Sequence, residues 1–269
     1  MNRIDRRFAE LRRRGRTGLV PFFTAGDPLP EATVAVMHAL VAAGADLIEL
    51  GVPYSDPVAD GPTIQHASER AIARGVGLAS ILEWVRTFRA TDADTPVVLM
   101  GYLNPIEIHG HARFAAEAVA AGVDGVLVVD VPVEEAATLQ PLVDAGLEQI
   151  FLVAPTTTEE RLAAIRARAR GFLYYVSFAG ITGADHLDTA AVRARVARIR
   201  EGGSIPVAVG FGVRDAATAA AVGELADAVV VGSALVARLA TATDAASAAA
   251  IARDTLAPIR AALDGHPKS

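Results

Sequence analysis

Residues 19–51 read LVPFFTAGDPLPEATVAVMHALVAAGADLIELG and contain two short apolar runs with a helix-like segment between them. The runs at 19–26 and 46–51 are apolar almost throughout, which is typical of parallel strands covered on both faces. The segment 31–43 has helical spacing and leads into Gly44, and glycine suits a left-handed helix C-cap. This stretch therefore predicts a strand–helix–strand unit.

The same unit recurs along the chain. Further β-prone runs lie at 96–101, 125–130, 149–154, 172–177, 206–212 and 228–233, which makes eight in all. The segments with helical spacing lie at 31–43, 64–74, 78–90, 110–121, 133–145, 158–169, 188–201 and 214–222. Eight such units predict an α/β fold, a (β/α)₈ TIM barrel that forms one domain over 1–269. A doubly wound open sheet is the alternative, but Thr24–Pro28 lacks the glycine-rich turn of its dinucleotide-binding form.

The amino-terminal residues predict an additional helix. Ile4, Phe8 and Leu11 fall on one helical face, and arginines follow towards Gly15. No apolar segment comes after these arginines, so the start is not a signal peptide and we expect a cytoplasmic protein. The longest stretches free of Asp, Glu, Lys and Arg, 32–45 and 171–184, are too short to cross a membrane as a helix.

Composition restricts the possible chemistry. Lys plus Arg number 25 and Asp plus Glu 31, and the net charge of −6 argues against nucleic-acid binding. The absence of Cys excludes thiol nucleophiles and Cys-bound metals, and the only lysine, Lys268, is badly placed for a Schiff base. His109 and His111 lack a third ligand at suitable spacing, so no metal site is expected. Carboxylates, hydroxyls, histidines or backbone dipoles must carry the chemistry.

Two acidic residues are the main catalytic candidates. Glu49 lies inside the apolar run 46–51, and a buried carboxyl group must be paired or protonated. One interpretation is a structural ion pair with an arginine of a neighbouring helix. Asp60 follows in a loop rich in proline and glycine, and in a barrel such a loop belongs to the catalytic end. Together they suggest two carboxyl groups in different environments, divided between acid and base roles.

Glycines near the last strands suggest a phosphate site. Gly212 and Gly232-Ser233 end the seventh and eighth runs, and Thr182-Gly183 lies in the loop after the sixth. Barrels often bind phosphate with the loops after strands seven and eight, where backbone N–H groups approach the oxygens. Tight turns are the alternative explanation. The segment 177–188 is predicted to act as a mobile lid over the substrate.

LIELGVPYSDPVADGPTIQ at 47–65 resembles the characteristic segment of the tryptophan synthase α subunit family. The likeness continues in order through PFFTAGDP (21–28), VVLMGYLNPI (97–106), VLVVDVPVEE (126–135), VSFAGITG (176–183), VGFGVRD (209–215) and VVVGSALV (229–236). It therefore covers nearly the whole chain and agrees with the predicted barrel.

The resemblance implies a carbon–carbon lyase of tryptophan biosynthesis that cleaves indole-3-glycerol phosphate to indole and glyceraldehyde 3-phosphate. It implies that Glu49 and Asp60 are catalytic and that no cofactor is bound. Tyr174 matches a family tyrosine, either for proton transfer or for barrel packing. Gly183, Gly212, Gly232 and Ser233 would bind the phosphate. The implied indole pocket, each member of which could instead be ordinary core, consists of Phe22, Leu99, Met100, Tyr102, Leu127, Phe211 and Thr182.

The resemblance also implies a partner, the tryptophan synthase β subunit, which carries pyridoxal phosphate and joins the α subunit in an α₂β₂ heterotetramer. Indole would pass directly to it. The segments that match the family's interface contribute Pro53, Tyr54, Asp56, Asn104, Ile108, Asp130 and Pro132. Two alternatives stay open: another phosphosugar barrel enzyme, such as an isomerase of histidine or tryptophan synthesis, and a non-catalytic barrel that activates a partner.

Overall fold

The computed structural model describes residues 2–176, 189–201, 203–210 and 212–265. Within these ranges the strands are β1 (Gly18–Thr24), β2 (Ile48–Gly51), β3 (Val97–Gly101), β4 (Gly125–Val128), β5 (Glu148–Gln149), β6 (Phe151–Val153), β7 (Leu173–Val176), β8 (Val207–Gly210) and β9 (Ala228–Val231). They form one sheet in the order β5-β4-β3-β2-β1-β9-β8-β7-β6, and neighbouring strands are parallel. The end strands β5 and β6 are separated in the chain by Ile150 alone, so the sheet is a nearly closed barrel, as predicted.

Helices cover the outside of this barrel. The α-helices of the described residues are α1 (Arg3–Arg13), α2 (Thr33–Ala42), α3 (Pro62–Ala73), α4 (Leu78–Arg89), α5 (Leu103–His109), α6 (His111–Ala121), α7 (Gln140–Asp144), α8 (Glu159–Arg168), α9 (Thr189–Arg200), α10 (Ala216–Gly223), α11 (Ser233–Leu239) and α12 (Ala245–Asp264). Short 3₁₀ helices lie at Pro30–Ala32 and Val133–Leu139. No helix among the residues described has both the length and the apolar character that a membrane crossing requires.

Helices α5, α11 and α12 lie outside the predicted helical segments, and two of the predicted segments change in character. The fifth predicted strand is divided at Ile150, because β5 pairs with β4 while β6 pairs with β7. The helix predicted over 133–145 begins instead as a 3₁₀ helix and becomes α-helical only at Gln140. Pro141 has no N–H and so cannot donate the bond that would continue one α-helix through this point.

The hydrophobic core has two layers because side chains alternate along each strand. Leu19, Ile48 and Leu99 belong to an outer cluster between the strands and the helices. Val98 and Leu127 belong to an inner cluster that fills the barrel interior. The predicted apolar face of α1 (Ile4, Phe8 and Leu11) joins the inner cluster, and the Phe8 ring lies 5.6 Å from that of Phe172. The predicted amino-terminal helix is thus confirmed and packs against the barrel interior.

Buried aspartates at the starts of strands fix the amino-terminal end of the barrel. Asp46, which precedes β2, accepts a hydrogen bond from Leu19 N at 2.9 Å, and Asp124, which precedes β4, accepts one from Val97 N at 2.8 Å. Each carboxylate also pairs with an arginine of the helix layer, Asp46 with Arg260 at 3.1 Å and Asp124 with Arg89 at 2.8 Å. These acids tie adjacent strands to each other and to a helix, at the end opposite the predicted site.

Candidate active site

Glu49 occupies the second position of the short strand β2 and points into the barrel. Its neighbours Ile48 and Leu50 face the helices, and the alternation of the strand therefore turns Glu49 inward. The side chain is fully buried, and neither carboxyl oxygen has a hydrogen-bond partner among the described residues. The ion pair with an arginine, which the sequence left open, is not found among them.

This environment sets the protonation state of Glu49. Burial disfavours the charged form and raises the pKa of the carboxyl group to about 8, with no described cation to oppose it. Glu49 is therefore protonated at neutral pH. A carboxylic acid with a pKa near the working pH can give a proton to a bound molecule and take one back.

Asp60 lies in the loop between β2 and α3 and is held by the first residue after β3. The Tyr102 hydroxyl donates a hydrogen bond to Asp60 Oδ2 at 3.0 Å and accepts one from Ala59 N at 3.0 Å. Gln65 Nε2 donates to the Asp60 carbonyl oxygen at 2.8 Å, which fixes the backbone of the loop. Burial raises the pKa of the Asp60 carboxyl group, and the hydrogen bond from Tyr102 opposes that shift.

The Tyr174 side chain, on β7, packs against Gly210 at the end of the neighbouring strand β8. A Cβ atom on Gly210 would lie 2.2 Å from the Tyr174 hydroxyl oxygen, so this ring position requires glycine at 210. Burial raises the pKa of the Tyr174 phenol, and the acidic groups Glu49 and Asp60 raise it further. Tyr174 therefore stays a neutral phenol at physiological pH, and it lines the same cavity as Glu49.

A cavity of about 290 Å³ opens at the carboxyl ends of the strands. Its lining consists of Phe22, Glu49, Gly61, Pro62, Thr63, Ile64, Met100, Tyr174, Gly212, Val213, Val230, Gly232 and Ser233. It thus brings Glu49 and Tyr174 together with three of the four predicted phosphate-binding residues. Asp60 and Tyr102 line a smaller adjoining cavity of about 10 Å³, which shares Phe22, Ile64 and Met100 with the large one.

The predicted apolar wall is only partly present. Phe22 and Met100 line the large cavity, and Phe22 lies between Gly51 and Gly232, where added Cβ atoms would approach its ring to 2.8 and 3.7 Å. Leu99 does not line it, because the strand alternation turns this side chain towards the helices. Leu127 faces the barrel interior but packs in the inner cluster and not in the cavity wall. Phe211, Thr182 and Gly183, and the predicted lid 177–188, lie outside the described residues.

Several lining residues were not predicted. Gly61, Pro62, Thr63 and Ile64 reach the cavity at the start of α3. The loop that carries Asp60 leads directly into this helix, and proline is typical of the first helical position. The start of α3 beside the site could therefore have been predicted from the sequence. Thr24 and Ser68, in the smaller cavity, gave no such signal.

The predicted interface residues lie around the mouth of the site, after β2, β3 and β4. Asp56, Asn104, Ile108, Asp130 and Pro132 are exposed, whereas Pro53 is buried within the chain. Ile108 is 81% exposed, and Val58, which was not predicted, is 87% exposed. The partly buried Tyr54 ring lies 5.1 Å from the Tyr102 ring and so connects this surface to the residue that holds Asp60.

Each histidine of the pair lies near a glutamate of the same region of the chain. His109 Nε2 lies 2.8 Å from Glu117 Oε2, and His111 Nε2 lies 3.6 Å from Glu107 Oε1. Across the described ranges, no group of three or more histidine or acidic side chains could hold a metal ion.

A parallel barrel with a protonated glutamic acid in a cavity at the carboxyl ends of its strands defines a barrel enzyme of the acid–base type. The family model described as "Tryptophan synthase alpha chain" matches residues 8–262. The chain therefore belongs to the tryptophan synthase alpha chain family and is a carbon–carbon lyase of tryptophan biosynthesis.

Individual relatives agree over nearly the full length. The tryptophan synthase alpha chain of Xanthomonas oryzae pv. oryzae (strain PXO99A) is 62% identical over 98% of this chain and 99% of the relative. That of Xylella fastidiosa (strain 9a5c) is 59% identical over 98% and 99%. The crystal structure of tryptophan synthase subunit alpha from Legionella pneumophila str. Paris superposes with a TM-score of 0.92, at 44% identity, over 98% of this chain and 99% of the other.

Proposed function

We propose that the cavity of this chain binds indole-3-glycerol phosphate and that Glu49 and Asp60 cleave it to indole and glyceraldehyde 3-phosphate. The observation that carries the proposal is Glu49, a fully buried carboxyl group without a hydrogen-bond partner among the described residues. Its pKa of about 8 makes it both acid and base near neutrality. An ion-paired glutamate could not give up a proton in this way.

Two proton transfers by Glu49 account for the reaction. Glu49 first protonates carbon 3 of the indole ring, which places a positive charge on the ring nitrogen. The resulting Glu49 carboxylate then removes the proton of the adjacent glycerol hydroxyl. The bond between carbon 3 and the glycerol chain breaks, its electron pair returns to the ring, and the hydroxyl carbon becomes the aldehyde. The cycle leaves Glu49 protonated again, so the atoms and protons balance.

Asp60 stabilises the cationic intermediate. Its carboxylate would face the ring N–H and attract the charge that develops there, an interaction that a low-dielectric site strengthens. The hydrogen bond from Tyr102 favours the anionic form and holds the carboxylate in place at 3.0 Å. Tyr174, whose ring faces both acids, would orient the substrate, with Phe22 and Met100 along the indole ring.

The phosphate group would bind at Gly212, Gly232 and Ser233, which line the same cavity as Glu49. Gly212 has φ of +80°, a conformation that other residues rarely adopt, and Ser233 begins α11. Backbone N–H groups and the Ser233 hydroxyl are the donors there, and the single lysine, Lys268, is far along the chain. Gly183, which lies outside the described residues, stays in the proposal as the fourth phosphate-binding residue.

Indole would pass to a β subunit that docks at the mouth of the site. The exposed Asp56, Asn104, Ile108, Asp130 and Pro132 support this surface, and an α₂β₂ heterotetramer in the cytoplasm is the proposed assembly. Pyridoxal phosphate belongs to the β subunit in this scheme, and this chain uses no cofactor of its own. We also propose that residues 1–269 form one domain.

Indole release from indole-3-glycerol phosphate, measured with and without the β subunit, tests the proposal. Glu49→Gln should lower kcat by at least about 100-fold, because general acid–base catalysis contributes about 10²–10⁴. Glu224→Gln, the same change at an exposed position of the helix layer, should leave the rate unchanged. An unchanged rate in Glu49→Gln would remove Glu49 from the mechanism, and no indole from the wild-type complex would refute the substrate.

A further inference from the structure

Thr24, the last residue of β1, has a buried hydroxyl group with no hydrogen-bond partner among the described residues. The residue is 2% exposed, and its Oγ1 atom makes no hydrogen bond within the described part of the chain. A buried hydroxyl without a hydrogen bond lowers stability, so such groups normally have a partner or bind water.

Thr24 lines the cavity of about 10 Å³ next to Asp60. This volume is enough for one water molecule, and a buried water needs two to four polar partners. Four polar side chains line the space, those of Thr24, Asp60, Ser68 and Tyr102. The remaining lining is apolar side chain or glycine backbone, so the polar groups surround one small volume.

Asp60 has room for a further donor. Tyr102 occupies Oδ2, whereas Oδ1 receives no hydrogen bond from the residues that the structure describes. The titratable groups that interact with the Asp60 carboxyl group there are the phenols Tyr102 and Tyr174. Both stay neutral at physiological pH, so among the described residues hydrogen bonds, and not a counter-charge, stabilise the anion.

We propose that one water molecule binds in this small cavity and connects Thr24 to Asp60, which makes Thr24 a positioning residue for the Asp60 carboxylate. Thr24 donates to the water, and the water donates to Asp60 and to the Ser68 hydroxyl. This arrangement satisfies the Thr24 hydroxyl and gives Asp60 a second bond on the side away from Tyr102. Its consequence for catalysis rests on the proposed function, but the water site itself does not.

The test compares Thr24→Val, which keeps the shape and removes the hydroxyl, with Thr24→Ser, which keeps the hydroxyl. Thr255→Val is the matched control, because Thr255 is buried in α12 and donates to Ile251 O. The Asp60 carboxyl group is titrated by ¹³C NMR in the chain without substrate. We expect Thr24→Val to weaken Asp60 ionisation roughly three- to tenfold, a shift of about half to one pH unit in the midpoint. Thr24→Ser and Thr255→Val should match the wild type.

A high-resolution crystal structure of the wild type should show a water within hydrogen-bond distance of Thr24 Oγ1 and Asp60. An equal Asp60 midpoint in wild type and Thr24→Val, or no water density there, would overturn the proposal. A purely structural Thr24 would lower stability and leave the midpoint unmoved. If Thr24→Val does not fold, the Asp60 midpoint is measured in Thr24→Ala instead, and the wild-type crystal structure still tests for the water. Absence of indole release from the wild type would refute the proposed function and leave the titration fully decisive.

Discussion

In the proposed function, Glu49 serves activity at the expense of stability. The folded chain holds its proton up to a pH of about 8, whereas the unfolded chain releases it near the ordinary value of 4.5. Between these values the native state binds more protons than the unfolded state. The free energy of unfolding therefore falls as the pH rises through this interval.

The Glu49→Gln variant should remove this pH dependence. Glutamine does not titrate, so the variant should gain stability over the wild type between pH 4.5 and pH 8, by a difference on the order of 5 kcal/mol at most. Urea unfolding at pH 5 and pH 8.5 measures it. Glu224→Gln serves as the control and should follow the wild type at both values. If the free energy of unfolding falls between pH 5 and pH 8.5 by the same amount in the wild type and in Glu49→Gln, Glu49 is not a buried, neutral carboxyl group.

Gly210 should be as necessary for activity as a residue that contacts the substrate. In Gly210→Ala the new Cβ would meet the Tyr174 hydroxyl at 2.2 Å, so the ring must move out of its place beside the two acids. Misplacement of about 1 Å near a reacting centre costs on the order of 100-fold in rate. Indole-release kinetics should show that loss, whereas Gly203→Ala, whose Cβ would meet nothing within 4 Å, should keep the wild-type rate. Equal rates for the two variants would contradict this role of Gly210.

The sequence revealed the residues of the site unequally. Glu49 could be predicted because a carboxyl group inside an apolar run is unusual in the sequence itself. Its lack of a partner among the described residues could not be predicted, because it depends on which arginines the helices bring near. The contact between Asp60 and Tyr102 joins positions 42 apart and depends on the course of a loop. Nothing in the sequence singled out Thr24, because its hydroxyl differs from others only in having no hydrogen-bond partner among the described residues.

At the scale of whole elements, strand periodicity decided what could be predicted. Apolar runs that do not alternate identify buried strands, but they do not show which residues face inward. For that reason Leu99 and Met100 were both placed in the pocket, whereas the pleat sends Leu99 to the helices and Met100 to the cavity. The division of the fifth strand at Ile150 also lay beyond the sequence, because it depends on how the sheet closes.

The aspartates at the strand starts should matter for stability and not for catalysis. Asp124 is 6% exposed and bonds Val97 N, Arg89 and Arg3. Its replacement by Ala leaves the mostly buried Arg89 without this carboxylate, and loss of one member of a buried pair costs about 3–5 kcal/mol.

Urea unfolding of Asp124→Ala should show this loss, and the rate of indole release per folded molecule should stay at the wild-type value. Asp94→Ala is the control, because Asp94 forms an exposed pair with Arg6 at 2.8 Å. Its stability should change by less than about 1 kcal/mol. Equal destabilisation by both substitutions would contradict the structural role of the buried aspartate.

In the molecule as a whole, the two ends of the barrel have different roles. Helix α1 and the buried aspartates Asp46 and Asp124 secure the amino-terminal end, where the core is closed. The carboxyl-terminal end carries the cavity, whose lining includes Gly61, Gly212 and Gly232. Exposed apolar side chains also occur there, on Val58 and Ile108. In the proposed function, these two side chains belong to the surface that the β subunit covers.

Ile108 therefore provides the test of docking at this end. Ile108→Asp places a charge where an apolar contact is proposed, and burial of that charge against the β subunit should weaken association at least about tenfold. Val119→Asp is the matched control, since Val119 is also an exposed apolar residue, 43% accessible, but lies on α6 in the outer helix layer. Calorimetric titration with the β subunit measures both affinities. Docking at the mouth should weaken binding in Ile108→Asp and leave it unchanged in Val119→Asp. Weakened binding by Val119→Asp, or full binding by Ile108→Asp, would therefore place the partner elsewhere on the barrel.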